Sequence, residues 1–380
     1  MTDVAIAAAG APWEPEALAA IDRAPDLRLV RRCVDVSELL AVVRTGAATV
    51  AVVDPSLPGL DVDVVRELSG AGATVAACGD DGAAAALGVL RRPAPGELGQ
   101  VDWKAPVPVP GPPPPEGGAE ATEAGRVLVV WGPAGAPGRS TLALALASAL
   151  AALGRRTVLV DADVAGGTLA QQLGVLDDLS GVLAACRAAG NGRAHEVDQH
   201  LVEVEPGLDL LTGIPRADLW PHLRVGAFGT VLDRLALDHA HVVLDVGSGL
   251  DLDGAVGRSR HALTRYLLDR ADDVVVIGRA DPMGLSRLVR GLAELHDVVA
   301  TPPRSLVVSL AGLGPGWSER EVGEALRRLA GRAPDLFLPA DPAAVQAALM
   351  QGRSPRVTAP ASPFVRRVDD LVSSLGLDVR

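Results

Sequence analysis

The chain has 380 residues, a net charge of −12 and 48% hydrophobic residues, with aromatic residues at only 2%. This length exceeds what one hydrophobic core usually serves, so two domains are expected. The acidic balance argues against a uniformly basic nucleic-acid-binding protein, because phosphate contacts need an excess of Lys and Arg on some face.

Cysteine usage and hydropathy predict a soluble cytoplasmic protein. Cys33, Cys78 and Cys186 have neither metal-ligand spacing nor a disulfide framework, which favours a reducing compartment. The N-terminus lacks the early basic residues of a signal peptide. The longest apolar stretch, Leu142–Leu153, is too short to span a bilayer.

Residues 1–104 alternate apolar runs with amphipathic stretches. This alternation predicts a small flavodoxin-like or receiver-like α/β domain with a parallel sheet. The predicted strands are Val4–Ala9, Leu27–Cys33, Ala48–Asp54, Ala73–Cys78 and Leu87–Leu90. The predicted helices are Glu14–Arg23, Val36–Arg44, Val62–Ser69 and Gly82–Ala86.

Residues 105–124 are predicted to be a linker. Their first part, Ala105 to Gly118, reads APVPVPGPPPPEGG. Proline fixes φ and has no N–H donor, so this segment cannot lie inside a sheet. We interpret it as a semi-rigid polyproline II spacer that rises about 3.1 Å per residue. A ligand for a proline-binding module is the alternative.

Residues 125–380 predict a larger α/β domain, with a Rossmann-like, mostly parallel sheet and helices on both faces. The predicted strands are Val127–Trp131, Thr157–Asp161, Leu208–Leu211, His241–Asp245, Asp273–Ile277, Ser305–Leu310 and Leu336–Leu338. A capping box at Ser318 and Glu321 and the Asp341-Pro342 pair predict two helix starts.

The first strand of this domain runs into the glycine-rich sequence GPAGAPGRST, which extends from Gly132 to Thr141 and opens a helix. This order suits phosphate binding, because glycines let backbone N–H groups converge on an anion at a helix N-terminus. The predicted nucleotide-binding residues are Gly135, Ala136, Pro137, Gly138, Arg139, Ser140 and Thr141. The Ser140 hydroxyl is the predicted Mg²⁺ ligand among them.

Strand, loop and helix resemble the deviant Walker A region of ParA/MinD ATPases, whose pattern is roughly GKGGVGK[ST]T. In that alignment Arg139 stands for the Walker lysine and Ala134 for the signature lysine that reaches across the dimer. Pro133 and Ala136 replace glycines. Arginine is longer and planar, so it is not a neutral replacement for a lysine beside the γ-phosphate.

Two further segments resemble the same family. Asp161 ends the second strand and Asp163 follows it. The resemblance implies that Asp163 orients the attacking water and that Asp161 lies near the metal; a capping Asp before a helix is the alternative. Asp245 ends a strand similar to Walker B, which implies a role in holding Mg²⁺. Ser309 and Leu310 replace an Asn-Arg pair common near the base, so adenine or guanine preference stays open.

The N-terminal domain resembles a response-regulator receiver, with Asp54 at the phosphoacceptor position. The acidic pair expected after the first strand is missing, because Ala7, Ala8, Ala9 and Gly10 stand there. We therefore interpret it as a pseudo-receiver used for contact. A pseudo-receiver before a ParA/MinD-like domain is similar to the CpaE/TadZ group, which helps to localise Flp-type pilus machinery.

These resemblances imply a slow ATPase with ATP and Mg²⁺ as cofactors, Asp163 and Arg139 as catalytic residues, and Ser140, Asp161 and Asp245 at the metal. The implied role is nucleotide-dependent positioning or partitioning (chromosome partitioning, septum site or Flp pilus assembly). A nucleotide-dependent homodimer and partner proteins are expected. DNA binding stays an open alternative that the sequence does not indicate. Membrane binding is not expected, because the last helix has a mixed polar face. An inactive P-loop scaffold that binds partner proteins is the alternative function.

Overall fold

A computed structural model of the chain describes residues 1–8, 10–105, 124–136, 138–175, 180–251, 259–299, 305–310 and 317–378. The chain divides into two compact units, residues 1–122 with 187–195 and residues 123–186 with 196–380. Most of the predicted linker, residues 106–123, lies outside the described residues, as does Ala9.

The N-terminal sheet has the strand order β2-β1-β3-β4 among the described residues, and every pairing in it is parallel. Its strands are β1 (Thr2–Ala7), β2 (Leu27–Arg32), β3 (Val50–Val53) and β4 (Thr74–Ala77). The helices between them are α1 (Glu14–Arg23), α2 (Val36–Arg44), α3 (Val62–Gly70) and α4 (Asp81–Ala86). This order is the flavodoxin-like one without its fifth strand.

The predicted fifth strand, Leu87–Leu90, is wrong. Leu87 ends helix α4, and the segment returns to the sheet only as one isolated parallel bridge between Ala76 and Arg91. Pro93 follows two residues later and cannot donate to a ladder. The apolar residues of the segment are buried by packing instead, with Leu87 and Val89 in one of the two cores of this domain.

The larger sheet has the order β12-β11-β10-β5-β9-β6-β8-β7 across the described residues. Its strands are β5 (Arg126–Trp131), β6 (Thr157–Ala162), β7 (Val202–Glu205), β8 (Leu208–Leu211), β9 (His241–Val246), β10 (Asp273–Arg279), β11 (Ser305–Ser309) and β12 (Leu336–Leu338). All neighbours are parallel except β7, which pairs antiparallel with β8 at the edge. The predicted α/β class and mostly parallel sheet are confirmed.

Ten helices among the described residues accompany this sheet. They are α5 (Arg139–Ala152), α6 (Leu169–Gln172), α7 (Gly181–Gly190), α8 (Val225–Asp238), α9 (Ala262–Arg270), α10 (Pro282–Val298), α11 (Glu319–Ala330), α12 (Pro342–Gln351), α13 (Pro355–Thr358) and α14 (Pro363–Ser374). The capping box at Ser318 and Glu321 and the Asp341 cap before Pro342 are confirmed. None of the described helices has the length and apolar character that crossing a membrane requires.

Helix α5 is the centre of the large core. Its residues from Leu142 to Ala151 are all buried, and they form one cluster with the inner side chains of the sheet and with α14. A buried carboxylate also fixes this helix: Glu205 accepts hydrogen bonds from the Ser148 hydroxyl at 2.6 Å and from the Ser354 N–H at 2.9 Å. Helix α5 is therefore fixed by its buried core residues and by this polar contact at Ser148.

Candidate functional site

The loop between β5 and α5 has a backbone shaped for an anion. Gly138 takes a left-handed φ of 99° directly before the helix, a conformation that disfavours any side chain. The described residues provide no side-chain cap at this helix start, so its first N–H groups are available to a ligand. Ala136 donates to the Pro133 carbonyl at 3.0 Å and closes a tight turn inside the loop.

Arg139 is already engaged by the protein. Its Nη1 donates to the Gly132 carbonyl at 3.0 Å, and its Nη2 lies 3.4 Å from Asp163 Oδ2. The side chain is 18% exposed. The guanidinium therefore lies folded over the loop and joins it to the carboxylate that follows β6.

Two neighbouring strands bring two carboxylates side by side. β6 and β9 run parallel, and Asp161 on β6 is in direct register with Asp245 on β9. Both residues lie at the carboxyl edge of the sheet, where ligands bind in open α/β folds. Asp163 follows two residues after Asp161, so the three predicted acidic residues meet beside the loop.

Asp245 has an unusual environment for a carboxylate. It is 1% exposed, and neither of its oxygens accepts a well-formed hydrogen bond from the described residues. Burial, followed by the charge of Asp161, raises its pKa to about 8, although nearby Ser140 and Arg139 oppose the rise. A buried carboxylate without partners is costly, so this position is suited to a cation that the protein alone does not provide.

Asp161, in contrast, is hydrogen-bonded by backbone. It accepts from the Leu169 N–H at 3.0 Å and from the Asp163 N–H at 3.4 Å. A β-carbon at Gly167 or Gly213 would collide with its carboxylate. Burial still raises its pKa to about 6. Asp161 thus holds the loop that carries Asp163, and its role at a metal stays a prediction.

The residues at the loop fit Mg²⁺ bound with phosphate. Within the described residues no group of three or more His, Cys, Asp and Glu is arranged to hold a metal ion. Mg²⁺ at phosphate sites is commonly bound by one or two protein groups, with phosphate and water completing its shell. The Ser140 hydroxyl and the unpartnered oxygens of Asp245 match that small set.

A cavity of about 330 Å³ lies on the α5 side of the loop. Gly138 and Thr141 line its inner end, and its walls are mainly apolar. The other lining residues are Ile277, Ser309, Leu338, Pro339, Ala340, Asp341, Pro342, Val345 and Phe364. An apolar pocket of this size beside an anion-binding loop suits the base and sugar of a nucleotide.

Comparison with known proteins shows what this architecture is. No family model matches the sequence, and no curated protein is similar to it. A ParA family ATPase from Chlorobium tepidum TLS has a similar structure, with a TM-score of 0.55 at 20% identity over 66% of this chain and 99% of that one. The larger domain has the ParA/MinD fold.

Two MinD structures agree with this assignment. The septum site-determining protein MinD complexed with Mg-ADP from Pyrococcus horikoshii OT3 has a TM-score of 0.52 at 18% identity, covering 67% of this chain and 99% of that one. The MinC:MinD cell division protein complex of Aquifex aeolicus has a TM-score of 0.51 at 17% identity, covering 66% and 95%. At these identities the likeness is one of fold.

The structure of the ParA/MinD-type domain brings most of the predicted site residues together. Arg139, Ser140, Asp161, Asp163 and Asp245 converge beside the loop. Thr141 and Gly138 lie at the cavity. Gly135 is exposed and Ala136 is half-buried in the loop. Pro137 lies outside the described residues.

Sequence reasoning missed one basic residue beside the loop. A β-carbon at Gly135 would overlap the guanidinium of Arg287, which lies on α10. Arg287 is separated from the loop by about 150 residues of sequence and belongs to no recognisable motif. Only the position of α10 against the loop identifies it.

In the N-terminal domain, the predicted phosphoacceptor Asp54 accepts hydrogen bonds at both of its carboxylate oxygens. Asp54 is 8% exposed. Its Oδ2 accepts from the Trp13 indole Nε1 at 2.7 Å, and its Oδ1 accepts from the Ser56 N–H at 2.7 Å. Both carboxylate oxygens therefore have protein donors.

Proposed function

We propose that the ParA/MinD-type domain binds Mg-ATP and hydrolyses it slowly, as a nucleotide-dependent positioning or partitioning factor. One observation carries the proposal: the buried Asp245 carboxyl group lies beside Ser140 at the start of α5, and its oxygens accept no hydrogen bond of good geometry from the described residues. A domain that had lost its ligand would have no reason to keep a carboxyl group in this buried position.

Each predicted residue has a role in this proposal. Backbone N–H groups of Gly135, Ala136 and Gly138, with the N-terminus of α5, bind the phosphates, and Thr141 lies at the inner end of the base cavity. Arg139 leaves Asp163 and pairs with the terminal phosphate, which frees Asp163 to orient a water molecule.

Ser140 and Asp245 would hold Mg²⁺, with Asp245 acting through water and Asp161 supporting the loop. The ion neutralises charge on the phosphates when it is bound. The protein's own contribution is positioning and electrostatic complementarity, which dominate phosphoryl transfer. Base preference depends on the cavity beside Ser309 and is left open.

The proposed cell process is supported by the proteins of similar fold and by the order of the two domains. We propose a nucleotide-dependent homodimer that recruits partner proteins of a chromosome-partitioning, septum-site or Flp pilus system. The small N-terminal domain, as a pseudo-receiver of CpaE/TadZ-like type, provides a contact surface for such partners. The alternative, an inactive scaffold, is favoured by the engagement of Arg139 with Asp163.

Steady-state Mg-ATP turnover measured against protein concentration tests the proposal. We expect a slow rate that rises faster than linearly with concentration, because a dimer completes the site, and that is lost in Asp163→Ala. Turnover equal to that of Asp163→Ala would contradict the ATPase and favour the scaffold. A rate strictly linear in concentration would contradict the dimer alone.

A separate prediction concerns the N-terminal domain. Acetyl phosphate with Mg²⁺ is expected to leave Asp54 unmodified, because Trp13 and Ser56 occupy its oxygens. Intact-mass analysis at neutral pH, with an active receiver as the positive control, checks this. A Mg²⁺-dependent acyl phosphate on Asp54 that is absent from Asp54→Asn would overturn the pseudo-receiver interpretation.

A further inference from the structure

Helix α10 lies directly against the first half of the phosphate loop. Gly291 on this helix approaches Pro133, so that a β-carbon at Gly291 would lie 3.0 Å from the Pro133 ring. One turn earlier, Arg287 contacts Gly135. Residues four apart share one face of a helix, so a single face of α10 follows the loop and directs one guanidinium at it.

The Arg287 guanidinium pairs with no carboxylate among the described residues. The residue is exposed, and in the described part of the chain no hydrogen bond or salt bridge to its side chain is found. Neighbouring arginines differ: Arg290 on the same helix donates to the Ser286 carbonyl at 3.4 Å, and Arg139 binds Gly132 and Asp163. Arg287 is therefore a cation available beside the loop.

The loop itself is poor in positive charge. Ala134 is exposed and carries no charge, and Pro133 has no N–H. Arg139 is the only basic side chain between Gly132 and Thr141. A nucleoside triphosphate brings several negative charges, and guanidinium groups bind phosphate oxygens well because of their planar donor geometry.

We propose that Arg287 is a phosphate-contacting residue of the nucleotide site and supplies, from α10, the second cation of the phosphate loop. It contacts Gly135, whereas the cavity suited to the base adjoins Gly138 and Thr141 at the other end of the loop. Arg287 is thus assigned to the terminal phosphates rather than to the base or sugar. This inference rests on the proposed nucleotide binding.

Calorimetric titration of the full chain with Mg-ATP and with AMP tests the assignment. Arg287→Ala is expected to weaken Mg-ATP binding about tenfold or more, the effect of one charge-assisted hydrogen bond, and to leave AMP binding unchanged. The Mg-ATP affinity of Arg287→Lys should lie between those of wild type and Arg287→Ala. The melting temperature without nucleotide should not change, because the side chain is exposed and unpaired. Arg290→Ala, which removes an exposed arginine from the same helix, is the matched control and should bind as wild type.

The outcomes separate this inference from the function on which it rests. If wild type binds no Mg-ATP, the proposed function fails and this assignment fails with it. If wild type binds Mg-ATP and Arg287→Ala binds it equally well, the assignment alone is overturned. A loss of AMP and Mg-ATP affinity by the same factor would also overturn it, because the guanidinium would then not distinguish the terminal phosphates.

Discussion

Asp245→Asn is expected to stabilise the nucleotide-free protein and, at the same time, to abolish Mg²⁺-dependent nucleotide binding. The wild-type carboxyl group is buried beside Asp161, and its oxygens accept no hydrogen bond of good geometry from the described residues. Asparagine has nearly the same shape and carries no charge. We expect a gain of roughly 1–3 kcal/mol in the free energy of unfolding, seen as a melting temperature several degrees higher.

The gain should depend on pH in a defined direction. The pKa of Asp245 is raised from 3.8 to about 8, so the folded state must keep a proton that the unfolded chain releases. This penalty on wild type grows between about pH 4 and about pH 8 and is constant above, whereas asparagine carries none. The stability difference between the two proteins should therefore widen from pH 5 to pH 8, provided that both are measured without Mg²⁺ and nucleotide.

Asp233→Asn is a suitable control, because Asp233 is an exposed carboxylate in the same domain and pairs with Arg270 on the surface. It should change neither the melting temperature nor nucleotide binding appreciably. A lower melting temperature for Asp245→Asn would show that the Asp245 charge stabilises the empty domain. Mg-ATP binding equal to wild type would remove Asp245 from the site.

The second large effect is expected at Arg139. Arg139→Ala should reduce ATP turnover about a hundredfold or more, the usual cost of removing a group that stabilises transition-state charge. It also leaves Asp163 without its 3.4 Å partner. Arg139→Lys, which keeps a cation at this position, should retain turnover within about tenfold of wild type, although it cannot contact Gly132 and Asp163 together.

Initial rates under saturating Mg-ATP check this prediction, with Arg320→Ala as the control. Arg320 is an exposed arginine of α11 that pairs with Glu324 on its own helix. Turnover of Arg139→Ala close to that of wild type would mean that Arg139 only stabilises the loop conformation. The catalytic cation would then have to come from elsewhere.

The fold was largely predictable because its strands are continuous apolar runs, as in parallel sheets covered on both faces. The missed strand β7 shows the limit of that signal. Its sequence, VEVE from Val202 to Glu205, alternates valine with glutamate, and the strand lies antiparallel to β8 at the sheet edge. The wrong strand at Leu87–Leu90 shows the converse, since its apolar residues pack without entering the ladder.

The candidate site was predictable where residues follow strand ends. Parallel strands bring their carboxyl ends to one edge, so the positions of Asp161 and Asp245 in sequence already imply that they meet. Contacts between distant elements carry no such signal. Two contacts depend on how helices and loops pack over the sheet edges: the contact of Arg287 with Gly135 and the hydrogen bond from Trp13 to Asp54. No local sequence pattern encodes that packing.

One titration tests most directly whether the loop before α5 is a nucleotide site built around Asp245. Mg-ATP is titrated calorimetrically into wild type and into Asp245→Asn at equal concentration, after both proteins are shown to be folded. We expect saturable binding of one nucleotide per chain to wild type and no binding to Asp245→Asn. Absence of binding to folded wild type, or equal binding to both, would contradict it.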